Sequence, residues 1–130
     1  MKNLIPVVIL IFCVNLTSAQ VAYEEFESYK LNERREIKIQ LPRDYDNNPD
    51  KSYPLFIVFD GDYMFEAVAG NVDYYSYWED MPEAIVVGIN QADHREDDCY
   101  YSEQNDLPVE TGAAFFEFIG MELIPHLNST

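Results

Sequence analysis

The stretch PLFIVFDGDYMF, residues 54–65, decides the fold. Leu55 to Phe59 is an unbroken apolar run of strand length, the pattern of a parallel strand covered on both faces. It ends abruptly on Asp60-Gly61-Asp62, two carboxylates around a glycine, before aromatic residues resume at Tyr63. In open α/β sheets, a strand that stops at such a turn and feeds a helix lies where ligands bind. On the residues alone the turn has two readings. Either Asp60 and Asp62 expose their carboxylates or cap the helix, or the turn's backbone N–H groups, aimed by the helix, meet negative charge developing on a substrate oxygen.

Upstream of this stretch, Val21 to Leu31 and Glu36 to Leu41 read as two strands joined by a polar hairpin connection, Asn32-Glu33-Arg34-Arg35. In the second strand Ile37, Ile39 and Leu41 alternate with Glu36, Lys38 and Gln40, which predicts one buried face and one solvated face. Pro42 stops that strand, and residues 44–50, DYDNNPD, read as a turn-rich surface loop. Downstream, Asp62 is expected to cap a helix whose apolar side carries Met64, Ala67, Val68, Val72 and Tyr75. The aromatic run Tyr74-Tyr75-Ser76-Tyr77-Trp78 is expected to pack that helix onto the sheet, with stacking on sugar rings as the alternative. Ala84 to Ile89 predicts a further buried strand, and a long polar segment runs from Asn90 to Leu107. Thr111 is placed to cap a last helix with Phe115, Phe116, Ile119, Leu123 and Leu127 inward, kinked or ended by Pro125. Two hairpin strands followed by strand, helix, strand, helix are the opening of an α/β domain with a mostly parallel sheet. The sequence reaches Thr130 without a return to that sheet, so the fold is expected to be incomplete.

The first residues read as a leader. Met1-Lys2 brings a positive charge, Leu4 to Leu16 is almost wholly apolar, and Thr17-Ser18-Ala19 is a small-residue cleavage site. The domain reading is therefore a signal peptide over 1–19 and an α/β portion over 20–130, secreted or periplasmic and not membrane-bound after cleavage. Phe12 before Cys13 argues against lipidation. Cys99 is then the only cysteine left, expected as a small buried hydrophobe. With 24 acidic against 8 basic side chains, a net charge of −16 disfavours nucleic acid and anionic lipid as partners.

None of Ser28, Ser52, Ser76, Ser102 or Ser129 lies in a Gly-x-Ser-x-Gly turn. His94 and His126 lack Cys or His neighbours at zinc-ligand spacing, so no metal and no cofactor is expected. The run Asp93-His94-Arg95-Glu96-Asp97-Asp98 reads as a solvated acidic loop in preference to a calcium site, and His126 as a surface residue at a helix C-terminus.

Several stretches taken in order resemble the secreted esterase family of the α/β-hydrolase superfamily, with esterase D, the enterochelin esterases and the mycolyltransferases. They are LNERREI (31–37) running into Leu41-Pro42, Tyr53-Pro54 before the apolar strand, and Phe59-Asp60-Gly61-Asp62. PEAIVVGIN (82–90), Arg95 with Asp98, Phe118-Ile119 and Glu122-Leu123-Ile124-Pro125 complete the series. The resemblance implies a sheet order 1-2-4-3 and a serine esterase acting on a small-molecule or polysaccharide-linked ester. It implies that the backbone N–H of Asp62 is one oxyanion-hole donor, flanked by the substrate-binding positions Gly61 and Tyr63. It also implies that the nucleophile elbow and the rest of the triad lie beyond Thr130, and that the apolar strand 55–59 is an edge open to self-association. The rival reading is a self-contained secreted, non-catalytic module that binds polysaccharide.

Overall fold

The computed structural model of the chain describes residues 21–129; the leader expected over 1–19 lies outside them. β1 (Val21–Ser28) and β2 (Glu33–Gln40) form an antiparallel hairpin in the register Val21 opposite Gln40 and Ser28 opposite Glu33. β3 (Leu55–Val58) feeds α1 (Gly61–Tyr77), and β4 (Ile85–Ile89) returns parallel to β3 and antiparallel to β2. The sheet order is β1-β2-β4-β3, as the resemblance implies, and β3 lies at one edge of the described sheet. A short α2 (Arg95–Asp98) and a small hairpin of β5 (Tyr101–Ser102) and β6 (Leu107–Pro108) occupy the polar segment. α3 (Glu110–Phe118) then passes through a wide π-helical turn, Ile119–Leu123, into α4 (Ile124–Leu127). Pro125 has no N–H to give the preceding turn, and the chain widens just before it where a regular helix would clash.

Each face of the sheet has its own core. On one side Ile37, Ile39, Val87 and Ile89 pack against Phe115, Phe118 and Leu123. On the other, Val58, Ala84 and Val86 meet Phe65, Ala69 and Val72 of α1. The α1 face is thus rotated from the one its sequence suggests: Met64 and Tyr75 are exposed, and Phe65 is inside. The cause lies on β4. A Cβ at Gly88 would stand 2.7 Å from the Phe65 ring, so the missing side chain is the seat for that ring. In α3 Phe118 replaces Phe116 as an inward residue, leaving Phe116 exposed.

Four further expectations are corrected. β2 starts at Glu33, so Arg35 is a buried strand residue rather than part of a polar connection; the turn is Tyr29–Asn32, with Asn32 at φ 54°. Lys38 and Gln40 are buried beneath α1 rather than solvated, because Lys38 reaches Glu66 at 2.7 Å and Gln40 donates to the Ala69 carbonyl at 3.0 Å. The residue capping α3 is Val109, not Thr111. Cys99 is exposed.

The π-helical turn also carries Glu122, whose carboxylate accepts the N–H groups of Tyr29 and Lys30 at 3.1 Å and the Ser28 hydroxyl at 2.5 Å. A single carboxylate thereby ties the first hairpin turn to the last helical segment. His126, at the end of α4, lies 3.3 Å from Glu24 and edge-on to Phe26, so it is a packing residue as well as a helix-terminal one. No described helix is long and apolar enough to cross a membrane.

Candidate functional site

The opening stretch forms a sharp elbow at the C-terminal ends of the parallel pair β3 and β4. Asp60 is the residue before the helix, in the left-handed region at φ 51° and ψ 42°. Aspartate tolerates this region better than most side chains, but it is still sparsely populated. Asp60 makes no side-chain capping bond; its carbonyl accepts the N–H groups of Tyr63 at 3.1 Å and Met64 at 2.9 Å. The helix cap is therefore Asp60, and Asp62 sits inside the first turn, two residues deeper than its sequence suggests.

The first N–H groups of a helix have no intrahelical acceptor. Those of Gly61 and Asp62 find none among the described residues, while the helix dipole leaves partial positive charge at this end. Gly61 is required by space. A Cβ there would lie 2.7–2.9 Å from backbone atoms of Gly88 and Ile89, so the helix start rests directly on β4. Tyr63, the next residue, is exposed. Gly61, Asp62 and Tyr63 therefore share one elbow: the Gly61 and Asp62 N–H groups have no acceptor among the described residues, Gly61 is buried while Asp62 is exposed, and one phenol stands beside them.

Sequence reasoning overlooked what lies beneath. Gln91, just past β4 and fully buried, accepts the Asp60 N–H at 2.9 Å through its side-chain oxygen and donates to Asp98 at 2.8 Å. Its own backbone N–H reaches the Asp62 carboxylate at 3.3 Å. Asp98 is gripped in turn by both terminal nitrogens of Arg35, at 2.7 Å each. The solvated acidic loop is thereby corrected: its last member is buried as the partner of a buried arginine. Burial pulls the Arg35 guanidinium down, but Asp98 and Glu33 together outweigh it and raise its pKa. Arg95, also from that loop, holds Asp60 through Nε at 2.7 and 2.9 Å and is raised by this bond. No three His, Cys, Asp or Glu side chains among the described residues come together as a metal-binding group.

At the far end of α1, about 25 Å away along 17 residues, Tyr74, Tyr75, Tyr77 and Trp78 are 46–61% exposed. They pair edge-on with one another, Tyr74 with Tyr75 and Tyr77 with Trp78, and do not pack the helix onto the sheet. That expectation is overturned, since Phe65, Ala69 and Val72 already fill the interface.

A hairpin leading into parallel strands, with helices on both faces and a strand-to-helix elbow at the strand ends, is the opening part of an α/β-hydrolase-type sheet. Residues 28–130 match the family described as "Putative esterase", and the chain belongs to that family. Among solved structures it is similar to an uncharacterised protein from Capnocytophaga ochracea, with 34% identity and a TM-score of 0.75, covering 85% of this chain and 29% of the other. It is similar also to an IroE-like serine hydrolase from Shewanella oneidensis, with 25% identity and a TM-score of 0.70, covering 84% and 38%. Ferric enterobactin esterase from Salmonella typhimurium shares the fold at 20% identity and a TM-score of 0.64, covering 85% and 26%. The chain thus spans roughly a third of the length of such proteins. No curated protein matches it significantly.

Proposed function

We propose that residues 20–130 are the N-terminal portion of an exported serine esterase, secreted or periplasmic, that hydrolyses carboxylic esters through an acyl-enzyme. The observation that carries this reading is the elbow: an open Asp62 N–H at the C-terminal end of β3, in a chain of the esterase family. Attack on an ester carbonyl turns its oxygen into an anion, and fixed N–H donors stabilise that anion more than the starting carbonyl. The Asp62 N–H is one such donor, and the residue after the nucleophilic serine supplies the other. Gly61 and Tyr63 border the substrate, a small-molecule or polysaccharide-linked ester, with Tyr63 against the acyl group. Serine, histidine and acid come from the part of the relatives' length that this chain does not span.

Two measurements test this. The 130-residue chain should release no p-nitrophenol from short acyl esters above the buffer rate and should stay unlabelled by a fluorophosphonate. The full-length protein should do both; saturable labelling of a serine within residues 20–130 would overturn the assignment. In the full-length protein Asp62→Pro deletes the N–H at the second position of α1, inside the first turn, where no intrahelical hydrogen bond is lost. It should lower kcat about a hundredfold, far more than Asp62→Ala, which keeps the N–H.

The exposed rings of Tyr74, Tyr75, Tyr77 and Trp78 favour a second reading, a self-contained module that stacks on polysaccharide. The edge of β3 separates the two. Leu55 and Phe56 on that strand and Phe59 beyond it are exposed, and an apolar edge of this kind invites pairing with another chain. As an esterase portion, the 130-residue chain should bind a hydrophobic dye and self-associate. A monomer with a sharp thermal transition and no dye binding would favour the module.

A further inference from the structure

We infer that Gln91 is the positioning residue of the elbow: its side chain sets where the Asp62 N–H points by fixing the backbone of Asp60. This rests on the esterase reading above. The elbow's shape does not come from its own residues. Asp60 holds a left-handed conformation with no side-chain capping bond of its own, and such strain persists where surrounding structure over-determines it. The surrounding structure here is the segment after β4. Arg95 takes the Asp60 carboxylate from the solvent side, and the Gln91 backbone N–H reaches the Asp62 carboxylate. Two buried side chains reach the elbow's backbone: Gln91 accepts the Asp60 N–H at 2.9 Å, and Lys38 on β2 lies at 3.5 Å from the Asp62 carbonyl, so the shorter link, and the one at the left-handed residue, is Gln91.

The chemistry of that link leaves one orientation. An ionised Asp98 only accepts, so the Gln91 amide must turn its NH2 toward it, at 2.8 Å. The amide oxygen then faces the Asp60 N–H, which can only donate, at 2.9 Å. Asp98 cannot swing away, because Arg35 on β2 holds both its oxygens at 2.7 Å. The elbow is thus referenced, through one amide, to the centre of the sheet. Oxyanion donors act over a narrow distance range, and a misplacement of about 1 Å costs on the order of a hundredfold in rate. Asparagine, one methylene shorter, cannot span both partners.

The test compares variants of the full-length protein on p-nitrophenyl acetate. Gln91→Met keeps the buried volume and removes both side-chain bonds; Gln91→Ala removes volume as well. Both should lower kcat about tenfold to a hundredfold with KM within about twofold. Because Gln91→Met leaves the Asp60 N–H and one Asp98 oxygen without a partner, its thermal midpoint should also fall, and both variants are assayed well below their midpoints so that the loss reads on folded enzyme. A kcat within twofold of the parent for Gln91→Met, or a loss entirely in KM, would overturn the positioning role. Asp62→Pro, run alongside, separates the two claims. If it too leaves kcat unchanged, the oxyanion reading itself fails. If it lowers kcat about a hundredfold while Gln91→Met leaves kcat within twofold of the parent, only the inference about Gln91 fails.

Discussion

Two arginine–aspartate forks flank α1, and their bond lengths are nearly the same. Arg35 and Asp98, behind the elbow, meet through two bonds of 2.7 Å, and Arg43 and Asp73, near the other end of the helix, through bonds of 2.8 and 2.7 Å. Their surroundings differ. The side chains of the first pair are 3% and 2% exposed, those of the second 52% and 24%. Arg43 additionally lies 4.7 Å over the Tyr77 ring, in the exposed aromatic cluster. Equal geometry therefore does not mean equal consequence. In water a fork loses most of its Coulombic gain to screening and to the entropy of two long side chains. In the interior each charge depends on the other to offset its lost hydration, so removal of one partner leaves an uncompensated ion.

The largest effect should come from breaking this comparison at the buried end. Asp98→Ala leaves the buried Arg35 guanidinium with Glu33 as its one remaining carboxylate among the described residues and removes the anchor of Gln91. A loss of about 3–5 kcal/mol is expected, a large part of a domain's net stability of about 5–15 kcal/mol. Asp73→Asn at the exposed fork should shift the urea midpoint by a small fraction of that, and less still in 1 M salt. Equal losses at the two sites would show that burial is not what distinguishes them.

The glycines of α1 sharpen the same contrast. Gly61, at the elbow, has β4 backbone within 2.9 Å of the place a Cβ would take, whereas Gly70, at mid-helix, has nothing within 4 Å. Gly61→Ala must push the helix off the sheet and should cost about 1–3 kcal/mol. Gly70→Ala adds a methyl in open space and removes backbone freedom from the unfolded chain, so it should stabilise by about 0.4–1 kcal/mol. Thermal midpoints moving in opposite directions are the expected result; two shifts of the same sign would contradict the close approach at Gly61.

How much of this was legible follows from the range of each signal. The strands, their order and the elbow follow from local runs and from the resemblance, because a five-residue apolar stretch ending on Asp-Gly-Asp carries its meaning within itself. The lock beneath the elbow is not local. Arg35 and Asp98 are 63 positions apart, and Gln91 sits in a polar segment with no periodicity. A charged residue in a polar run looks solvated until tertiary structure brings its counter-ion, and nothing at position 35 announces one at 98. The α1 face differs from the one its periodicity predicts for a related reason, since the pocket that takes Phe65 is the absence of a side chain at Gly88. The aromatic run at the helix end shows the converse, where residues that usually fill cores stand exposed because smaller ones had already closed the interface.

The smallest effect tests a pair that stands between the two extremes. Lys38 rises from β2 under the first half of α1, its side chain largely buried and its Nζ 2.7 Å from the exposed carboxylate of Glu66. The Lys38 hydrogen bond, with help from the helix backbone, holds the Glu66 carboxyl below its ordinary pKa. A carboxyl whose folded-state pKa is depressed contributes stability above its unfolded value, near about 4.3. That contribution is lost as pH falls through the lower, folded-state value. Glu66→Gln should therefore be slightly less stable than the parent at pH 7, and the gap should close as the pH is taken below about 4. Added salt at pH 7 should narrow it too, because one partner faces water. Urea midpoints of both proteins across that range measure the gap directly. A gap that persists unchanged into acid would mean that Glu66 supports the helix by packing, and that the Lys38 charge is satisfied by the Phe65 ring 5.6 Å away and the Asp62 carbonyl 3.5 Å away instead.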